Sequence, residues 1–87
     1  MDDDLDKVWE MAARYASLAL AEIAARTREE RQPLKVDMKG LCREALGLSP
    51  VQMAYFCQQI VSSMPDVRTA STALTMFTNR LADQTRR

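Results

Sequence analysis

The chain has 87 residues, two cysteines, two glycines and no histidine, a length that makes one domain, residues 1–87, with a small core: such a chain buries only about 60–65% of the surface its unfolded form exposes. Missing histidine removes the commonest general base and a usual zinc ligand, so the expectation is a protein that is not an enzyme and takes no metal, cofactor or small-molecule substrate. The zero net charge conceals an asymmetry: residues 1–30 hold four basic side chains against eight acidic ones, net −4, and residues 31–87 hold eight against four, net +4.

The first predicted element is a long helix over residues 3–30. Leu5, Trp9, Ala12, Ala16, Ala19, Leu20 and Ile23 recur at spacings of three and four, the mark of an amphipathic helix. Aspartates crowd its start and arginines its end, as the helix dipole favours. Asp3–Lys7, Glu10–Arg14 and Arg26–Glu30 are spaced for pairing one turn apart, and Pro33 is expected to stop the helix. A second helix is predicted over residues 36–46, with Met38, Leu41, Cys42, Ala45 and Leu46 on one side and Gly47 as its C-terminal stop. A third is predicted over residues 49–64, with Ser49 capping it, Pro50 in its first turn and Met53, Phe56, Cys57, Ile60, Val61 and Met64 apolar. Pro65 separates it from a fourth, residues 66–84, whose Val67, Ala70, Leu74, Phe77 and Leu81 follow a heptad-like spacing. Met76 lies beside that seam and widens it. No run alternates with period two, so no sheet is predicted. The fold class is all-α: a compact bundle or orthogonal array of about four helices, with a long N-terminal helix.

Nothing in this inventory builds a reaction centre. A cysteine nucleophile needs a histidine or a cation to lower its pKa, and Arg43, adjacent to Cys42, points about 100° away around a helix. Both cysteines are expected to be reduced core residues. No run approaches the roughly 20 apolar residues that span a bilayer, so no membrane association is expected. The opening Met1-Asp2-Asp3-Asp4 is the reverse of a basic secretion signal, and the expected location is the cytoplasm.

The segment Leu41-Cys42-Arg43-Glu44-Ala45-Leu46-Gly47-Leu48-Ser49-Pro50-Val51-Gln52-Met53-Ala54-Tyr55-Phe56 resembles the helix-turn-helix family of DNA-binding motifs. The resemblance implies burial of Cys42, Leu46, Leu48, Met53 and Phe56. It makes the helix after Ser49 a recognition helix exposing Val51, Gln52, Tyr55 and Gln58. Gln52 would pair with an adenine edge and Val51 with a thymine methyl, while Lys35, Lys39 and Arg43 would form a ridge against phosphates. The chain departs from the family in placing Arg43 where a small residue lets the helices cross. It also carries no lysine or arginine from Ser49 to Met64, although phosphate neutralisation supplies much of the affinity for DNA.

The leading expectation is therefore a small regulatory protein that binds another protein through a helical surface, as an inhibitor, adaptor or antiactivator. A homodimer is expected through the first helix, the last, or both, with Leu5, Trp9, Ala12, Val67, Leu74, Phe77 and Leu81 as its seam. Lys35, Lys39, Arg43, Val51, Gln52, Tyr55 and Gln58 form the candidate partner surface. The alternative is a helix-turn-helix transcriptional regulator reading DNA with the same residues.

Overall fold

The computed structural model describes residues 4–86. They form four helices, α1 (Leu5–Ala24), α2 (Arg28–Ala45), α3 (Pro50–Ser62) and α4 (Val67–Thr85), and no strand is present among the described residues. The all-α expectation with a long first helix is met.

The boundary between α1 and α2 differs from the one read in the sequence, and the reason is local. The break falls at residues 25–27, well before Pro33, because Thr27 and Glu30 carry a helix-start signature. The Thr27 hydroxyl accepts the Glu30 backbone N–H at 3.2 Å, and the Glu30 carboxylate accepts the Arg26 backbone N–H at 2.9 Å. Arg31 donates to the Ala25 carbonyl at 3.3 Å, satisfying a group that the end of α1 leaves open. Pro33 sits inside α2, where all its immediate neighbours on the N-terminal side are exposed. It offers no N–H to the Glu29 carbonyl four residues back, which lies on that exposed stretch in the first turn of α2. Arg26 and Glu30 thus meet across the break through the backbone and make no ion pair. Glu10–Arg14 is not an ion pair either, and Asp3 lies outside the described residues.

The second break is closer to expectation. Ser49 and Gln52 form a reciprocal capping box, with Gln52 Oε1 accepting the Ser49 N–H at 2.9 Å and Ser49 Oγ accepting the Gln52 N–H at 3.2 Å. Gly47 is not a left-handed stop: α2 ends on Leu46 in a right-handed conformation, and no glycine has positive φ. At the start of α4, Asp66 accepts the Thr69 N–H at 2.7 Å, which holds its carboxyl below the usual range.

α1 packs on α2 and α3, and α4 packs on the same two helices, so the neighbour order around the bundle is α1, α2, α4, α3. The sequence-adjacent helices α2 and α3 lie diagonally and touch little. The core draws on all four: Val8, Met11, Ala12, Tyr15 and Ala19 from α1, Met38, Leu41, Cys42 and Ala45 from α2, Phe56 and Ile60 from α3, Ala73 and Phe77 from α4. At its centre, Phe56 stacks on Phe77 with ring centroids 4.9 Å apart, and Tyr15 meets Phe77 edge-on at 5.1 Å. The buried face of α1 is rotated from the predicted stripe. Ala12, Ala16 and Ala19 lie inside, whereas Leu5, Trp9 and Ile23 are exposed.

Candidate functional site

Two polar arrangements are built on this frame. The first is buried. Arg80 of α4 reaches across the bundle diagonal to α1, donating to Glu22 Oε1 and Oε2 at 2.9 and 2.7 Å and to the Tyr15 hydroxyl at 3.0 Å. Glu22 is 5% exposed and the Arg80 side chain 15%, so this is a two-pronged ion pair largely removed from water. Burial opposes the Arg80 charge, yet the bonds to Glu22 and Tyr15 outweigh it and raise its pKa. Cys42 lies beside the same group. Burial pushes the Tyr15 phenol up to about 12 and the Cys42 thiol up to about 11, against the opposing pull of Arg80 on both. A thiol so displaced is protonated at neutral pH and is a poor nucleophile. Cys57, half-buried and free like Cys42, is raised by burial as well. This site locks α4 onto α1.

The second arrangement is a surface groove between α2 and α4. Arg31, Lys35, Lys39 and Arg43 recur every fourth residue along the edge of α2 that faces α4. Arg31 and Lys35 stand beside Met76 and Arg80, and Lys39 and Arg43 beside Asp83, Gln84 and Arg86, so the two helices run in the same direction. The groove opens into two cavities of about 370 and 410 Å³. Ile23 and Met76 are the apolar side chains of the first, whose other walls are charged. Arg80 is neutralised by Glu22, and Arg86 faces Asp83 at 3.8 Å in a fully solvated pair of little strength. The four α2 cations have no ion pair among the described residues. They supply the groove's unbalanced positive charge.

The sequence-predicted residues divide between faces. Lys35, Lys39 and Arg43 come together in this groove, Lys35 half-buried and the others exposed. Val51 and Gln58 are exposed on α3, and Gln52 and Tyr55 are half-buried there. Because α3 is diagonal to α2, these four do not share a surface with the α2 cations. Of the residues the helix-turn-helix resemblance buries, Cys42 and Phe56 are inside and Leu48 and Met53 half-buried. Leu46, at 41% exposure, is outside. The expected dimer seam is split too. Ala12 and Phe77 are fully buried within the protomer and cannot reach a partner, because α1 and α4 spend them on the common core. Leu74 and Leu81 are half-buried against that core, while Leu5, Trp9 and Val67 stand in solvent.

Glu22 and Arg80 were not singled out by sequence reasoning, although a signal exists. Tyr15, Ala19 and Glu22 on α1, and Ala73, Phe77 and Arg80 on α4, each place a charge in phase with an apolar stripe. One unmatched charge of each sign on two buried faces is the pattern of an internal ion pair. Among the described residues no group of three histidine, cysteine or carboxylate side chains is placed to hold a metal ion, and no helix is long and apolar enough to cross a membrane. Comparison with protein-family models, with curated proteins and with solved structures finds no match to this chain.

Proposed function

We propose that the protein is a small regulatory binding protein that docks on another protein through its helical surface and acts by covering it. The observation that carries this reading is the α2–α4 groove. It presents four cations that make no ion pair among the described residues in a row along α2, two of them beside Ile23 and Met76, with α4 anchored to α1 by a buried ion pair. A backbone already held in packed helices needs no ordering on binding, as a loop does, so such a face is suited to recognition. Within the same proposal the protein self-associates through the outer edge of α1, where Leu5, Trp9, Leu20 and Ile23 fall within about 60° of one another at about 100° per residue. Three of these are exposed large hydrophobics.

DNA is the competing ligand, and three observations weigh against it. The exposed face of α3 carries no cation. The Gln52 carbonyl that would read adenine accepts the Ser49 N–H in the capping box. The basic row borders α4 and lies diagonal to α3, whereas a helix-turn-helix needs its phosphate contacts to flank the recognition helix.

The test is affinity capture from host lysate with wild-type protein and with the double variant Lys39→Glu/Arg43→Glu. Both positions are exposed, so the variant keeps its helices. The expected result is a protein enriched by the wild type and lost with the variant. Capture indifferent to the two reversals, or enrichment of nucleic acid alone, would sink the proposal.

A further inference from the structure

We infer that the α2–α4 groove receives an acidic amphipathic helix of the partner, with carboxylates repeating every fourth residue. This rests on the reading above and narrows it. The cations Arg31, Lys35, Lys39 and Arg43 rise about 6 Å per step along α2, and about 18 Å in total, at the helical rise of about 1.5 Å per residue. A second helix repeats a side-chain position at that same interval, whereas alternate residues of a strand are spaced about 6.6 Å and fall out of register by about 2 Å over three steps. An acidic row at the same spacing places one carboxylate opposite each cation over about three turns. The complement is local to the groove, since the +4 on residues 31–87 is balanced by −4 on residues 1–30.

The groove's lining selects a helix over a nucleic-acid backbone. Its walls include Ile23 and Met76, which offer an apolar contact to a side chain flanking the carboxylate row. No aromatic residue lines either cavity, so no base has a stacking platform.

Two synthetic helical peptides of identical composition test the inference. In one, four glutamates recur every fourth position beside a leucine, and in the other the same glutamates are dispersed around the helix. Binding is measured by fluorescence anisotropy at low salt, with a mixed-sequence DNA duplex as a third probe. The expected result is that the aligned peptide binds at least about tenfold tighter than the dispersed one. That preference is expected to disappear in Lys39→Glu/Arg43→Glu and to weaken steeply with added salt. The milder variant Lys39→Gln/Arg43→Gln should fall between. Equal binding of the two peptides overturns the inference, as does no binding of either, or tighter binding of the duplex. None of these outcomes alters the lysate comparison, which tests docking at this groove whatever the partner's secondary structure.

Discussion

Burial and charge compete most directly at the Cys42 thiol and the Tyr15 phenol. Both side chains are 0% exposed, and both lie near Arg80, whose charge favours their ionised forms. Burial prevails, taking the thiol from 9.0 to about 11 and the phenol from 10.0 to about 12. The folded state therefore holds the protonated forms more tightly than the unfolded chain does. The resulting stability is complete below about pH 9, begins to fall as the unfolded thiol ionises, and is lost by about pH 11 for Cys42 and about pH 12 for Tyr15. Displacements of this size correspond to about 2–3 kcal/mol per group, a large part of the stability of a small domain. Urea unfolding followed across alkaline pH is expected to show a steep loss from about pH 9 upward. Cys42→Ala is expected to start lower at neutral pH, through its small cavity, and to decline less between about pH 9 and 11. An unchanged slope in that variant would mean that the buried thiol is not the titrating group. The same burial makes Cys42 the slower of the two cysteines toward iodoacetamide in the native protein.

Between elements, the Glu22–Arg80 pair ties together two helices that otherwise lie diagonally. Removing one partner leaves the other charge in a site with little water, at a cost of about 3–5 kcal/mol, whereas replacing both with apolar groups of similar volume is close to neutral. Glu22→Leu and Arg80→Met are each expected to lower the urea midpoint sharply, and the double variant to recover most of the loss. Additive losses would show that the pair makes no cooperative contribution. This pair also marks the limit of what was legible in the sequence. The four helices could be read from periodicity and punctuation, because Pro50, Ser49 and the Pro65-Asp66 break act within a few residues. The end of α1 was misplaced because Pro33 drew the boundary, while the Thr27–Glu30 cap that sets it was passed over. Lys35, Lys39 and Arg43 could be read as a ridge because their spacing is helical. That this ridge faces α4, and that Arg31 joins it, depends on the neighbour order of the helices, which no local spacing encodes.

For the molecule as a whole, the question left by the packing is what becomes of apolar surface that the four-helix core does not use. The stripe of α1 is wider than the core it faces. Its inner edge supplies Ala12, Ala16 and Ala19, whose small side chains let α1 come close to its neighbours, and its outer edge leaves Trp9 49% exposed and Leu5 38% exposed one turn apart. Single exposed hydrophobics are ordinary, but Leu5 and Trp9 stand one turn apart at the start of the longest helix, on a chain whose core is small. The proposed self-association covers them, and Trp9, the larger of the two, has most to bury. Because association stabilises the folded state by mass action, the wild-type melting temperature is expected to rise with protein concentration. Trp9→Glu places a charge in that patch at a position outside the buried core. It is expected to remain helical, to sediment at the mass of one chain, and to melt at a temperature independent of concentration. The Trp9 emission of the wild type should shift to the blue as concentration increases. A wild-type protein that melts at one temperature over a hundredfold range of concentration, with emission fixed at the solvent-exposed maximum, would leave the outer edge of α1 bare and rule out the homodimer. The α2–α4 groove shares no residue with that edge except Ile23, so recognition through the groove would survive the loss of the dimer.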